Sequence, residues 1–241
     1  MTDRYYVDTP ISGSTAKLAG QEAHHLIHVM RAPPGSRVVL FDGSGIEFTA
    51  RVEHVGRSEV ELAILSQEAV GRESSPQITL GAPLPKGDRQ RWLIEKSVEL
   101  GVARFVPLTT ARSVARAGPN ALARLRRTVV EASKQCGRNR LMEIAEPLDW
   151  SNFLVATQVT VCRLLAHAGD EPPQPLPPIS DAAALAVGPE GGLTPDEIAQ
   201  ATAAGWLAVD LGPRTLRVET AAIFLVAGVA HAVREVRGLG G

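Results

Sequence analysis

Two glycine-rich segments in the last third of the chain hold the side chains best suited to binding a ligand. Residues 188–192 read Gly-Pro-Glu-Gly-Gly, and residues 211–220 carry Arg217 and Glu219 just before an apolar stretch. Glycine lets backbone N–H groups approach a bound molecule closely. An arginine can stabilise an oxyanion or a phosphate, and an acid is electrostatically favoured at a helix N-terminus. These residue types therefore predict a polar ligand site.

The first segment differs from the glycine loops that bind phosphates. It is neither a Gly-x-Gly-x-x-Gly dinucleotide loop nor a Gly-x-x-x-x-Gly-Lys-Thr phosphate loop, and Glu190 stands where such loops usually carry a cation. A cationic or hydroxyl-bearing ligand suits it better than a triphosphate. Two simpler alternatives stay open at this point: glycines that only reverse the chain, and a surface ion pair between Arg217 and Glu219.

Short apolar runs precede both segments. Residues 184–187 and 207–211 are predicted strands. The helix between them begins after Thr194, because Thr-Pro-Asp-Glu has the form of a capping box with proline at the first helical position. Loops at the carboxyl ends of parallel strands are where α/β sheets bind ligands. We therefore expect the active site at these two turns.

The middle of the chain alternates predicted strands and helices, which indicates a mostly parallel α/β sheet. In the longest helical pattern of this region, residues 119–136, the apolar side chains share one face and Lys134 is expected to point outward. The proline-rich residues 167–180 are expected to form a surface loop. Strands are predicted at residues 77–82, 104–108 and 158–165, and helices at residues 88–100, 119–136 and 219–236.

Residues 1 to about 70 have an all-β pattern. Short, evenly spaced strands separated by turn signals such as Asp42-Gly43 favour a small barrel. Residues 20–31 are the exception, because their apolar positions have helical spacing. The polar residues 67–76 have the composition of a linker, which predicts one domain over residues 1–70 and a second over residues 75–241. The predicted strands are residues 37–41, 47–53 and 59–65.

The net charge of −1 conceals a basic middle. Residues 86–140 contain thirteen Lys and Arg against four Asp and Glu, a net of +9, which leaves −10 for the rest of the chain. Such a segment favours a face for a polyanion such as nucleic acid, although solvated helix faces would also explain it. The candidate RNA contacts in this segment are Lys86, Arg112, Gln135, Arg138 and Arg140.

Composition and spacing argue against several other classes. No apolar run approaches the ~20 residues of a membrane helix, and the N-terminus lacks a signal-peptide pattern, so a cytoplasmic location without a membrane partner is expected. Cys136 and Cys162 cannot form a disulfide framework. His24 and His28 have the spacing of a metal pair, but no third ligand cluster accompanies them, and no metal is predicted. Arg31, just after them, could instead hold a phosphate.

Several ordered motifs resemble those of one known family. Those near the C-terminus are Val187-Gly188-Pro189-Glu190-Gly191-Gly192, Leu211-Gly212-Pro213-Arg214, Leu216-Arg217 and Glu219-Thr220-Ala221. Those upstream are His25-Leu26, Val29, Arg31, Lys96-Ser97, Glu99-Leu100-Gly101, Glu131-Ala132, Lys134-Gln135 and Gly137-Arg138. Over nearly its whole length the sequence is similar to the RsmE family, the 16S ribosomal RNA uridine-N3 methyltransferases of the SPOUT superfamily.

The resemblance implies a fold, a cofactor and partners. Residues 1–70 would form a PUA-like β-barrel that helps to hold RNA, and residues 75–241 a SPOUT α/β domain whose trefoil knot binds S-adenosylmethionine. It further implies a homodimer, with active sites at the subunit interface, that acts on 16S rRNA of the small ribosomal subunit. The knot and the strand order come from the resemblance alone, since general topology rules argue against threading.

The resemblance implies which residues bind the cofactor, and the chemistry of uridine methylation leads to a hypothesis for two catalytic residues. Removal of the uracil N3 proton leaves negative charge on O2 and O4, which Arg217 would stabilise, while Glu219 would position Arg217 or receive the proton. These two are the expected catalytic residues. The expected cofactor-binding residues are Leu165, Ala166, His167, Gly188, Pro189, Glu190, Gly191, Gly192, Leu211, Gly212, Leu216, Arg217, Thr220 and Ala221.

Two alternative functions remain at this point. One is a SPOUT enzyme that methylates another RNA atom, such as a ribose 2′-oxygen. The other is a non-catalytic RNA-binding or assembly factor that has kept the fold. The intact glycines and the Arg217 and Glu219 pair favour catalysis.

Overall fold

The computed structural model describes residues 3–73, 76–114, 117–167, 179 and 181–238. The chain divides into two compact units. The first consists of Met1–Glu73 with Val130–Leu141, and the second of Ser74–Val129 with Met142–Gly241. Each unit is described separately below.

The first unit is built on a five-stranded sheet. Its hydrogen-bonded order is β1-β3-β4-β5-β2, in which β1 pairs with β3 in parallel and all other neighbours are antiparallel. A short helix, α1, follows β2 and continues as a π-helical segment. The elements are β1 (Arg4–Tyr6), β2 (Thr15–Ala19), α1 (Gly20–His24), the π-helical segment His25–Met30, β3 (Arg37–Phe41), β4 (Ile46–Val55) and β5 (Glu59–Ala69).

Alternation of side chains along these strands produces the core of the first unit. In β2 only the second and fourth residues are buried, and β5 begins with the same alternation. Successive strand side chains point to opposite faces, so one face of each strand is apolar and packs inward. The buried cluster comprises Tyr5, Val7, Ala16, Leu18, Ala23, Leu26, Val38, Leu40, Phe48, Ala50, Val52, Val60 and Leu62.

The sequence predictions for this unit are confirmed in outline and corrected at two places. The strand predicted at 37–41 has those bounds, but β5 runs on to Ala69, so a linker beginning at residue 67 was wrong. Residues 67–69 pair with Ile46, Glu47 and Phe48 of β4. This strand pairing keeps residues 67–69 in the sheet although their composition is typical of a linker. The helix predicted at 20–31 changes to π-helical form at residue 25.

The second unit contains a seven-stranded sheet in which every described pairing is parallel. The order is β12-β10-β11-β6-β7-β8, with β9 also pairing with β7, so the predicted parallel α/β sheet is confirmed. The elements are β6 (Gln77–Ala82), α2 (Arg89–Glu99), β7 (Val102–Thr109), α3 (Pro119–Cys136), β8 (Glu143–Ile144), β9 (Leu148–Asp149), α4 (Trp150–Ala156), β10 (Cys162–Ala166), β11 (Ala182–Val187), α5 (Pro195–Ala203), β12 (Leu207–Val209) and α6 (Val218–Gly238).

Central position in this sheet explains the composition of β11. It lies between β10 and β6, and its last five residues are all buried. A parallel strand covered on both faces has a continuous apolar run rather than an alternating one. The helix that follows begins as predicted: Thr194 accepts a hydrogen bond from the Glu197 N–H, and the Glu197 carboxylate accepts one from the Thr194 N–H.

Two other details of the second unit differ from the sequence predictions. The strand predicted from residue 158 begins at Cys162, because turn hydrogen bonds hold residues 157–160. The helix α4 was not predicted, although Asp149 caps it by accepting a 2.8 Å hydrogen bond from the Asn152 N–H. Of the loop predicted at 167–180, nearly all lies outside the described residues. The trefoil knot stays a prediction.

Helix α3 has the predicted bounds, and its apolar face is buried through Leu122, Leu125, Val129 and Ala132. Lys134 does not point outward as expected. Its side chain is only 14% exposed, and its Nζ lies 2.8 Å from Glu22 Oε1. Both residues belong to the first unit, because α3 residues from Val130 onward are part of it. The expectation failed because the partner acid is 112 residues away in sequence.

Candidate functional site

The sheet brings three predicted ligand-binding segments to one edge. Ala166, the last residue of β10, is in register with Val187 at the end of β11 and with Val209 at the end of β12. The His167 N–H also donates a 3.1 Å hydrogen bond to the Val209 carbonyl. Because all three strands are parallel, residues 165–167 and the two glycine-rich segments leave the sheet side by side. The two glycine segments therefore converge at the predicted edge, but not at adjacent strands as expected, because β10 lies between β11 and β12.

The first glycine segment is a tight turn with little room for a side chain at Gly188. The Gly192 N–H donates a 2.8 Å hydrogen bond to the Pro189 carbonyl, and Gly192 has a φ of +69°, which favours glycine. A Cβ on Gly188 would lie 3.0 Å from the Leu193 side chain. Glu190, at the tip, is exposed. The turn therefore keeps its backbone close-packed and presents one carboxylate to solvent.

The second segment leads directly into helix α6. Gly212 has a φ of +105°, and its N–H donates a 2.8 Å hydrogen bond to Asp210 Oδ1, which forms a tight turn after β12. Arg217 is exposed and its carbonyl accepts the Ala221 N–H, the first bond of the helix. Of the other predicted cofactor residues here, Leu211 and Leu216 are half-buried, Thr220 is exposed and Ala221 is buried.

Glu219 lies in a different environment from its neighbour Arg217. Glu219 is only 6% exposed, and it occupies the first turn of α6, where the helix dipole favours an anion. One carboxylate oxygen, Oε1, lies 3.4 Å from Arg89 Nη1, whereas the other, Oε2, is buried and has no hydrogen-bond partner among the described residues. The alternative of a simple Arg217 and Glu219 surface pair does not describe this carboxylate, because Glu219 is buried and pairs with Arg89.

Arg89 is a site residue that the sequence predictions missed. It is the first residue of α2, and its Nη1 also lies 3.9 Å from Oε1 of Glu190. One guanidinium group thus connects carboxylates from both glycine segments. The basic segment contained this arginine, but its two partners lie more than 100 residues further along the chain, so no local pattern marked it.

Arg112 lies against the first glycine segment. Its Nη1 donates a 2.8 Å hydrogen bond to the Gly191 carbonyl, and its side chain would lie 3.5 Å from a Cβ at Gly191. The neighbouring Ala111 N–H donates to Glu197 Oε1 at 2.8 Å, which fixes the turn after β7 beside the start of α5. Arg112 is exposed, so its charge lies on the surface at the candidate site.

Comparison with known proteins places this geometry in a family. A family model described as an RNA methyltransferase domain matches residues 72–230, and a second, described as an RNA methyltransferase PUA domain, matches residues 18–65. The chain belongs to the RNA methyltransferase family. The fold is accordingly a PUA-like sheet followed by a SPOUT-type parallel α/β unit, as the resemblance implied.

Individual relatives align with this RNA methyltransferase over most of their own length and most of the length of this chain. The ribosomal RNA small subunit methyltransferase E of Mycobacterium bovis is 34% identical and matches 93% of this chain and 90% of its own. That of Bacillus subtilis is 26% identical, with 93% of both chains covered. A crystal structure of the Neisseria gonorrhoeae enzyme of the same name, bound to S-adenosyl methionine, has a TM-score of 0.88 and 32% identity, and covers 96% of this chain and 98% of its own.

The predicted RNA contacts of this RNA methyltransferase fall into exposed and buried groups. Arg138 is only 4% exposed, and its guanidinium lies 2.6 Å from Glu73 Oε2 in the same unit. It therefore contributes to packing within the first unit. Arg31 follows the π-helical segment with a φ of 52°, uncommon for a residue other than glycine. The exposed predicted contacts are Arg31, Gln135 and Arg140 in the first unit and Lys86 and Arg112 in the second.

Gln135 lines a cavity of about 810 Å³ within the first unit. The basic side chains around it are already paired: Lys134 with Glu22, and both Arg4 and Arg72 with Glu47. Burial opposes ionisation of Glu47, but hydrogen bonds from Arg72 and Arg4 outweigh it and hold the pKa of this carboxyl below its ordinary value. The basic side chains of the cavity wall are therefore held in ion pairs.

No metal-binding or membrane-spanning feature is present in the part of the chain that the structure describes. It contains no group of three or more His, Cys, Asp and Glu side chains placed to hold a metal ion. The rings of His24 and His28 contact each other with centroids 4.6 Å apart. Within the same residues no helix is long and apolar enough to cross a membrane.

Proposed function

We propose that this protein methylates N3 of a uridine in 16S ribosomal RNA of the small ribosomal subunit, with S-adenosylmethionine as the methyl donor. The observation that carries the proposal is that residues 165–167 and the two glycine-containing turns leave neighbouring strand ends at one edge of the sheet, and that the second turn leads to the buried carboxylate of Glu219. The names of its relatives and the S-adenosyl methionine bound to the Neisseria enzyme support it.

The residues at this edge fit a sulfonium cofactor. The glycine turns present backbone rather than bulky side chains, and Glu190 and Glu219 supply negative charge near a cationic ligand. Oε2 of Glu219 is a buried polar atom without a partner among the described residues. The residues that would hold the cofactor are Leu165, Ala166, His167, Gly188, Pro189, Glu190, Gly191, Gly192, Leu211, Gly212, Leu216, Arg217, Thr220 and Ala221.

The chemistry divides between two neighbouring residues. When bound, the cofactor supplies a methyl group on a positively charged sulfur. Arg217, exposed beside the second glycine turn, stabilises the negative charge that develops on uracil O2 and O4. Glu219 receives the N3 proton. Its pairing with Arg89 supports this role over the alternative in which it positions Arg217.

The remaining parts of the proposal concern RNA binding and assembly. Residues 1–70 act as the PUA-like module that helps to hold RNA, and residues 75–241 carry out the methyl transfer. The protein works as a homodimer in the cytoplasm, with active sites at the subunit interface. We leave Arg138 out of the RNA contacts because it is buried, and retain Arg31, Lys86, Arg112, Gln135 and Arg140.

Nucleoside analysis tests this function directly. Small ribosomal subunits that lack the modification are incubated with the purified protein and S-adenosylmethionine, and the digested rRNA is examined by mass spectrometry. We expect 3-methyluridine to appear. A ribose-methylated nucleoside instead would identify a different target atom. No methylation, together with no heat of S-adenosylmethionine binding in calorimetry, would indicate a non-catalytic RNA-binding factor.

A further inference from the structure

The Arg89 guanidinium is shared by two acids of unequal burial. Its Nη1 lies 3.4 Å from Oε1 of Glu219, whose side chain is 8% exposed, and 3.9 Å from Oε1 of Glu190, whose side chain is 43% exposed. Arg89 itself is about one-third exposed. The helix start that carries it follows β6, which is the sheet neighbour of β11, so the parallel topology brings it to the edge where the glycine turns lie.

The Glu219 carboxylate is left half-satisfied by this arrangement. Oε1 faces Arg89, but Oε2 is buried and accepts no hydrogen bond from any described residue. A buried carboxylate oxygen without a partner carries a desolvation cost, and native structures rarely retain one without a reason. Arg89 therefore fixes the orientation of the carboxylate through one oxygen and leaves the second, buried oxygen without a hydrogen bond from any described residue.

We propose that Arg89 is a positioning residue for methyl transfer, which holds Glu219 through Oε1 so that Oε2, which accepts no hydrogen bond from a described residue, takes the uracil N3 proton. This inference rests on the proposed function. In the step itself, the N3–H bond breaks and its proton goes to Oε2, while the N3 electron pair forms the new N–C bond. The C–S bond of the sulfonium breaks with its electrons left on sulfur, which becomes neutral.

Glu190 gives Arg89 a second role in the same step. When Glu219 takes up the proton it loses its charge, and Arg89 would then be a partly buried cation without a counter-ion from the second segment. Glu190 remains 3.9 Å away and keeps the guanidinium paired. Arg89 thus has an ionised acid beside it both before and after Glu219 takes the proton.

The test compares Arg89 with a neighbouring arginine on the same helix. Arg91 is more exposed and pairs with Glu95 one turn further along α2. In Arg89→Ala we expect kcat for uridine methylation to fall about 100-fold, because the proton acceptor loses its orientation. The dissociation constant of S-adenosylmethionine, measured by calorimetry, should stay within about threefold. Arg89→Lys should recover part of kcat, and Arg91→Ala should have the kcat of the wild-type protein.

The possible contrary results are distinct. If Arg89→Ala keeps its kcat while Glu219→Gln loses activity, Arg89 does not position Glu219, and the proposed function stands. If Arg89→Ala raises only KM for RNA, Arg89 is an RNA contact and the inference is overturned. If the unmodified protein forms no 3-methyluridine, the proposed function itself has failed. Thermal melting of each variant identifies a folding defect, in which case Arg89→Gln and Arg89→Lys, which keep side-chain bulk, decide by the same kcat comparison.

Discussion

Arg217 and Glu219 are two residues apart in sequence but differ in what they can do. Arg217 is exposed and free to meet a bound substrate, whereas Glu219 is buried in the first turn of α6 and held by Arg89. Exposure suits a group that stabilises charge on an incoming base. Burial suits a carboxylate whose hydrogen bonding must be controlled until a proton arrives.

Substitution at these two positions separates catalysis from cofactor binding. We expect Arg217→Ala and Glu219→Gln each to lower kcat by about 10² to 10³-fold, the usual effect of removing one stabilising group or one proton acceptor. Steady-state methylation rates measure the effect, with cofactor affinity determined by calorimetry. Asp196→Asn, an exposed acid in the first turn of α5, is the matched control and should leave the rate unchanged. Full activity in either test variant would remove that residue from the mechanism.

The ion pair between Glu73 and Arg138 is expected to contribute to the free energy of unfolding. Arg138 Nε and Nη2 donate to the two Glu73 oxygens at 3.1 and 2.6 Å, and the Arg138 side chain is 5% exposed. Glu73→Gln removes the charge of the carboxylate that two guanidinium nitrogens of the buried Arg138 contact, which should lower the free energy of unfolding by about 3 kcal/mol. Glu53→Gln, which removes an exposed pair with Arg51, should cost at most about 0.5 kcal/mol. Chemical denaturation measures both, and equal effects would contradict the expected role of burial.

Individual strands and helices show where the local sequence was sufficient to predict the structure. The strands at 37–41 and 77–82 and the helix at 119–136 have their predicted bounds, because period and turn signals agreed there. Both glycine turns were also predicted. Three features were not predicted, since each depends on a partner distant in sequence. They are the extension of β5 to Ala69, the pairing of Lys134 with Glu22, and the position of Arg89 beside Glu219. Tertiary contacts of this kind leave no periodic mark in the chain.

The capping box of α5 offers a graded test at this scale. Thr194→Ala removes one cap and should cost about 1 kcal/mol of unfolding free energy. Glu197→Ala should cost more, because its buried carboxylate accepts both the Thr194 N–H and the Ala111 N–H at 2.8 Å. Urea denaturation of the two variants compares them. Equal losses would mean that the Ala111 bond contributes nothing to stability.

Acid should weaken the ion pairs that Glu47 of β4 forms with Arg4 and Arg72. The pKa of Glu47 is lowered in the folded protein, because hydrogen bonds from Arg72 and Arg4 outweigh the effect of burial. A depressed carboxyl pKa stabilises the fold above the ordinary value, about 4.5, and that contribution is lost as pH falls through the lower folded value. Denaturation between pH 3 and 7 should therefore show a shallower acid loss of stability in Glu47→Gln than in the unmodified protein. Identical pH profiles would contradict the prediction.

At the scale of the whole molecule, the uneven charge is the property that RNA would sense. The net charge is −1, yet residues 86–140 carry +9. Each exposed cation that meets a phosphate releases counter-ions, so its removal should lower the slope of log K against log salt by about one. We expect this for Lys86→Ala and Arg140→Ala in binding titrations with small-subunit rRNA. Arg37→Ala, an exposed arginine outside the basic segment, is the control, and unchanged slopes in all three would indicate ordinary surface charge.

The first unit is not continuous along the chain. Residues 130–141 return to it and supply Lys134, Arg138 and Asn139, which pair with Glu22, Glu73 and Arg4. A ribosome making this protein releases the five strands well before these partners, and at about 5–20 residues per second the wait is roughly 3–14 s. During that interval the acids have no cations to bind. The first unit therefore completes these contacts only after its last helical turns have emerged.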